Sequence, residues 1–221
     1  MKNLQRHTPV DIWSAPYGFT YKEMVEVIGE REAKNLYSSL YKHSPKKEYL
    51  NMSLKTVYKD GDTEKYVYEL LDGKYIETVF IKRRGGGTVC VSTQVGCSVG
   101  CIFCESGRNG FVRNLTPAEI VQQVILLRRK VNRIIFMGMG EPLFNYDNFI
   151  KAIHILRDRN GMNFPTDGIT VSTVGPVKQL KKLREEHLKI QLTISLHATT
   201  QVVRNRIIPN MHLSQISDVV D

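Results

Sequence analysis

The sequence predicts an α/β protein in two parts, a small α+β extension over residues 1–84 and a set of alternating strands and helices over residues 85–221. Three observations lead there. From residue 88 onward, apolar stretches of strand length alternate with stretches of helical period, the pattern of parallel strands joined by helical crossovers. Before it come three strand-like stretches separated by Asp-Gly turns. The chain has 221 residues, 42% hydrophobic and 24% charged, enough to bury a sizeable core without disulfide staples.

Each element follows from local chemistry. Residues 20–42 read as helical, with Tyr21, Met24, Val25, Ile28, Leu36 and Leu40 recurring at helical spacing. Residues 54–58, 65–71 and 74–81 read as strands, turned at Asp60-Gly61 and Asp72-Gly73. Gly85-Gly86-Gly87, after Lys82-Arg83-Arg84, reads as a hinge into the second part. Residues 88–94 form the first strand of that part. Thr116-Pro117-Ala118-Glu119 opens a helix running to about residue 130, with Thr as N-cap, Pro at the first position and Glu three after the cap. Residues 132–137 are a short apolar strand. Residues 146–158 are a helix burying Phe149, Ile150, Ile153 and Leu156. Residues 168–173 form a strand, 177–186 a basic helix with a solvated outer face, and 189–196 a fourth strand. Residues 211–221 begin another helix.

Ligands of such folds sit at the carboxyl ends of the strands. The residues with chemical character gather there. A cysteine loop follows the first strand, and Gly138-Met139-Gly140-Glu141-Pro142 follows the second. Ser172-Thr173 closes the third, and Ser195-Leu196-His197 closes the fourth.

All four cysteines, Cys90, Cys97, Cys101 and Cys104, lie within fifteen residues. A disulfide scaffold spreads its cysteines so that each bridge closes a long loop, so this clustering points instead to a metal or redox site. The spacing Cys97-x3-Cys101-x2-Cys104 offers three thiolates. That suits a four-iron cluster with one iron left open to a small ligand. Zinc, which usually takes four ligands, is the alternative, and it makes a zinc-stabilised structural protein a competing function. Gly96 and Gly100 allow the loop to wrap tightly.

The net charge is +9, with 15 basic and 12 acidic residues over 1–89 and 16 and 10 over 90–221. The surplus permits a polyanionic partner such as RNA, and Lys82-Arg83-Arg84, Arg108 and Arg113 are the candidates for phosphate contact. There is no apolar run long enough to span a membrane and no secretory signal is visible, so the expected location is the cytoplasm.

With these pieces assembled, the chain resembles the RlmN/Cfr family of radical S-adenosylmethionine (radical SAM) RNA adenosine methyltransferases. The resemblance runs in order over about residues 55–208. It rests on Asp72-Gly73-Lys74-Tyr75-Ile76-Glu77-Thr78-Val79, Thr88 to Cys97, the three-cysteine spacing, Gly110-Phe111-Val112-Arg113-Asn114-Leu115-Thr116, Met137 to Pro142, Val171 to Gly175 and Ser195-Leu196-His197-Ala198.

The resemblance implies a partial radical SAM (βα) barrel, of which four strands are placed here. Its cofactors would be a [4Fe-4S] cluster on Cys97, Cys101 and Cys104 and S-adenosylmethionine held by Gly140, Glu141, Ser172, Ser195, Leu196 and His197. Glu77 aligns with the family's proton acceptor. Cys90 aligns with the thiol that resolves a protein–RNA adduct and ends in a transient disulfide. An electron from the cluster splits a carbon–sulfur bond of the cofactor. The resulting radical chemistry reaches C2 of an adenine, or C8 in related members, in ribosomal and transfer RNA. The implied partners are that RNA and an electron donor of the flavodoxin type.

The family also carries a methyl group on a cysteine near its C-terminus, and this sequence has no cysteine after Cys104. The expectations are therefore a truncated or split product, a chain completed by a partner chain, or a derivative with another use of the cluster. A catalytically inactive RNA-binding remnant is the functional alternative.

Overall fold

The computed structural model describes residues 12–209 and 214–220. The extension begins with helices α1 (Tyr21–Ile28) and α2 (Glu30–Lys42). The single helical stretch read over 20–42 is thus two helices, broken at Gly29, whose φ of +82° leaves the right-handed helical region at no steric cost. The side chain of Thr20 caps α1 and Glu23 reaches back to close a capping box. The two helices bury Met24, Ala33, Tyr37 and Leu40 in a small core of their own with Ile12, Tyr17 and Ala118.

Strands β1 (Met52–Asp60), β2 (Thr63–Leu70) and β3 (Tyr75–Arg83) form an antiparallel meander that turns at the predicted Asp-Gly pairs. β3 then pairs antiparallel with β4 (Gly86–Cys90) across a tight turn at residues 84–85. The turn that the sequence marks as a hinge is therefore a hairpin inside one sheet. Beyond it, β4, β7 (Arg133–Phe136), β8 (Ile169–Thr173) and β9 (Gln191–Ile194) are parallel neighbours. The whole is a seven-stranded mixed sheet in the order β1-β2-β3-β4-β7-β8-β9. It stays open and does not close into a barrel.

The strand read over 88–94 ends at Cys90. After three residues the chain enters β5 (Gln94–Gly96), which leaves the main sheet and pairs with β6 (Phe111–Asn114) in a separate two-stranded sheet. The short helix α3 (Glu105–Arg108) lies between them.

Helices α4 (Pro117–Ile125) and α5 (Tyr146–Arg157) cover one sheet face. Ile120, Val121, Val124, Phe149, Ile153 and Leu156 pack there against Val89, Ile134, Phe136, Ile169 and Val171. α4 starts in the predicted capping box of Thr116 and Glu119. α6 (Val177–Glu185) follows β8 and buries only Leu183, as its run of lysines demands. Two further helices are α7 (Gln201–Ile207) and α8 (Ile216–Val220). α8 falls within the helix read over 211–221, and residues 211–213 and 221 lie outside the described residues. α7 was not foreseen. Among the described residues no helix is long and apolar enough to cross a membrane.

Candidate functional site

Because β4, β7, β8 and β9 are adjacent and parallel, their carboxyl ends line one rim, and side chains stitch that rim together. Thr93 N and Gln94 N both donate to Met139 O (2.8 and 3.1 Å). Gln94 Oε1 accepts from Glu141 N at 3.0 Å. A Cβ on Gly140 (φ +99°) would lie 2.5 Å from Gln94 Cβ, so the Gly-Met-Gly-Glu turn packs against the strand-one loop only with glycine there. Asn145 Nδ2 donates to Thr93 O and Leu115 O, each at 2.8 Å.

Glu141 is the centre of the rim. It is 4% exposed, and its carboxylate accepts from Leu143 N (3.0 Å), Thr173 Oγ1 (2.6 Å) and Val174 N (2.9 Å). Burial pushes its pKa up, and those three donors oppose the shift. A carboxylate offers about four acceptor sites, and these three donors leave one on Oε2 unfilled. Ser172 and Ser195 join β8 to the β9 loop by a 3.0 Å hydrogen bond between their hydroxyls. Ser195 N donates to Thr173 O at 2.8 Å. His197 sits in the left-handed region (φ +61°), and its ring lies 4.6 Å from that of Phe103, inside the cysteine loop. Leu196 N is tied back to Ile194 O at 3.0 Å.

The cysteine loop folds on itself. Gly96 and Gly100 take φ of +73° and +67°. A Cβ on Gly96 would fall 1.9 Å from Gly110 O, where Cys97 N donates at 3.1 Å. Val99 packs with Val174 and Ile208 against Cys97 and Cys101. Ile102 N donates to Ile207 O at 3.1 Å, so α7 props the loop from one side.

All four thiols are free, so no disulfide joins Cys90 to another cysteine here. Burial pushes the Cys97 thiol up and the Cys101 thiol to about 11, and the charges of the neighbouring thiols and of Glu141 add to it. Near neutral pH such thiols stay protonated, and a bound metal centre would draw off their protons. Among the described residues no three His, Cys, Asp or Glu side chains converge closely enough to hold one metal ion. Three thiols on one loop that sense one another's charge are a donor set that an iron–sulfur centre could take.

Cys90 ends β4 at the rim, and Glu77 lies on the neighbouring strand β3. Val79 faces Cys90 across the β3–β4 ladder, and Phe80 faces Val89. Glu77, Val79 and Cys90 therefore share one face of the sheet, opposite the helix-covered face of Phe80 and Val89. Glu77 is bound by Lys65 Nζ at 2.8 Å. Burial lifts the Cys90 thiol to about 11. Ser92 links this pair of strands to the rim, donating from Oγ to Glu77 O (2.6 Å) and accepting from Met139 N (2.9 Å).

Two phosphate candidates are engaged within the protein. Arg113 binds Asp72 (2.6 Å) and Glu119 (2.8 Å), and these carboxylates hold its pKa above the ordinary value. Arg108 pairs with Glu105 at 3.2 Å. Sequence reasoning missed Gln94, Asn145 and Arg204 as builders of the site. No local pattern marks them, since each acts through a main-chain group distant in sequence.

An open parallel sheet with a three-cysteine loop and a buried carboxylate at its carboxyl rim defines a metallocofactor enzyme scaffold. The chain belongs to the Radical SAM superfamily, whose family model matches residues 91–221. Its members use S-adenosylmethionine and an iron–sulfur cluster. The chain is 58% identical over 161 residues to a probable RNA methyltransferase of Rhodopseudomonas palustris, covering 73% of this chain and 45% of that protein. It is 45% identical over 172 residues to a probable dual-specificity RNA methyltransferase RlmN of Dictyoglomus thermophilum, covering 73% and 49%. A crystal structure of a radical SAM methyltransferase from Sphaerobacter thermophilus superposes with a TM-score of 0.85 at 31% identity, over 93% of this chain and 70% of that one. The chain thus spans about half the length of the curated relatives it matches.

Proposed function

We propose that this chain supplies the cluster- and cofactor-binding part of a radical SAM RNA methyltransferase directed at C2 of adenosine. The observation that carries the reading is Glu141. It is a buried carboxylate with one acceptor site unfilled, fixed by Thr173 and Val174, and Val174 packs against Cys97 and Cys101 of the loop. A ligand bearing an ammonium near a cluster fits that pairing through a charge-assisted hydrogen bond, and S-adenosylmethionine is such a ligand.

In this reading Cys97, Cys101 and Cys104 hold a [4Fe-4S] cluster. Gly140 and Glu141 orient the amino group, and Ser172, Ser195, Leu196 and His197 line the rest of the cofactor. When bound, cluster and cofactor supply one-electron cleavage of a carbon–sulfur bond, which opens ring carbons closed to nucleophilic methylation. The electron comes from a low-potential donor of the flavodoxin type. Glu77 accepts a proton, for which its ion pair with Lys65 must loosen. Cys90, on the same sheet face, resolves the RNA adduct. No cysteine follows Cys104 in these 221 residues, so none of them is assigned the methyl-carrying role. An RNA substrate is supported by the names of the relatives and by the net charge of +9, and ribosomal or transfer RNA is the class proposed.

The test is anaerobic reconstitution with iron and sulfide, followed by S-adenosylmethionine and a reductant, scoring 5′-deoxyadenosine. The parent should release it, and Cys97→Ala, Cys101→Ala and Cys104→Ala should not. A folded parent that binds the cluster and never cleaves the cofactor overturns the enzyme reading in favour of an RNA-binding remnant. That remnant would show RNA affinity falling steeply with salt and no turnover.

A further inference from the structure

Arg204 is the bulkiest fully buried side chain in the described structure, with 0% exposure. Its guanidinium donates to Val174 O and to Ser214 O (3.2 Å), both uncharged. Its Nε is buried without a partner. Among the described residues it forms no ion pair with a carboxylate. A buried cation without an ionic partner is unfavourable, so an anion is expected to face it. Val174, whose carbonyl the guanidinium holds, packs against Cys97 and Cys101, so the cysteine loop is where that anion would sit.

The surroundings lock this arrangement. Arg204 lies on α7, whose Ile207 O receives Ile102 N of the cysteine loop, and Ile208 N closes back on Arg204 O at 2.8 Å. Val174 is held from both sides, its N–H by Glu141 and its C=O by Arg204. The carboxylate and the guanidinium thus stand on either side of one residue at the carboxyl end of β8. Three thiolates outweigh the positive charge of an oxidised four-iron core, so the loaded site is anionic and one-electron reduction makes it more so.

We infer that Arg204 is the built-in counter-charge of the cluster, a positioning residue that holds the cysteine loop and raises the cluster's reduction potential. The inference rests on the cluster reading above. Reduction takes one electron from a low-potential one-electron donor and neither makes nor breaks a bond. A fixed positive charge nearby favours the product, because net charge and burial set such potentials.

The experiment compares Arg204→Lys with Arg204→Gln in the full chain. Both lose the guanidinium fork and keep a donor, and only the lysine keeps the charge. EPR-monitored redox titration of the reconstituted proteins should place Gln below Lys by at least a tenfold change in the oxidised-to-reduced ratio at fixed potential, about 59 mV for one electron. The lysine variant should stay near the parent. Without iron the order of stability in urea should reverse, with Gln at least as stable as Lys, since an unpaired buried charge is then only a cost. Equal potentials in the two variants overturn the inference. So does an iron-free Gln variant less stable than Lys, or failure of both to fold, since the hydrogen bonds alone would then be the residue's role. A parent that takes up no cluster overturns the cluster reading itself, which is a separate result.

Discussion

At Cys90 the physical chemistry is burial. The thiol is lifted from an ordinary value of 9.0 to about 11, so the iron-free protein holds it as an unreactive thiol at neutral pH. Alkylation followed by mass spectrometry should show Cys90 reacting about a hundredfold more slowly at pH 8 than a thiol of ordinary pKa, with the rate climbing toward pH 11. The linked stability has a definite sign. The folded pKa is raised, so the contribution is intact below about pH 9 and is lost as pH rises through about 11. Thr173 makes a second residue-scale case. Its hydroxyl donates to Glu141 and accepts from Gly175 N. Thr173→Val should cost about 1–3 kcal/mol in urea denaturation through the two buried groups left short of a partner. An unchanged midpoint would mean that water replaces the hydroxyl.

At the scale of elements, α4 welds the extension to the core. Gln123 is fully buried and meets Thr78 Oγ1, Ser92 N and Ser92 O at 2.7–2.9 Å. Gln122, equally buried, binds Asn51 N, Asn51 Oδ1 and Tyr49 O. Gln123→Met conserves volume and removes those bonds. It should destabilise by about 1–3 kcal/mol for each main-chain group orphaned, read as a drop in the urea midpoint with an unchanged slope. The capping box that starts this helix was legible, because Thr116, Pro117 and Glu119 are adjacent in the chain. The role of the two glutamines was not. In a helical period they read as polar outer-face residues, and only the arrival of β3, β4 and the segment before β1 buries them. The break at Gly29 belongs with this case, since apolar spacing alone favours one continuous helix.

At the scale of the molecule, one sheet runs through both predicted parts. The exposed turn at Arg83, Arg84 and Gly85 is open to trypsin. We expect a cut there to leave two pieces that co-elute on gel filtration, held by the β3–β4 ladder and by α4; separation of the pieces would contradict a shared core. Spacing along the chain by itself determined the three-cysteine loop, the Asp-Gly hairpins, the parallel strands and the residues at their carboxyl ends. These signals lie within a few residues of one another, where turn chemistry, hydrophobic period and ligand spacing are set locally. Tertiary structure alone decided that the hinge is a hairpin, that β5 departs from the main sheet to pair with β6, that Arg113 is engaged by Asp72 and Glu119, and that Arg204 is buried against the carbonyls of Val174 and Ser214. Each of those outcomes is a hydrogen bond or a charge contact between distant segments. Such contacts leave no period in the sequence, because the partner of a buried polar group is chosen by packing and not by its neighbours in the chain.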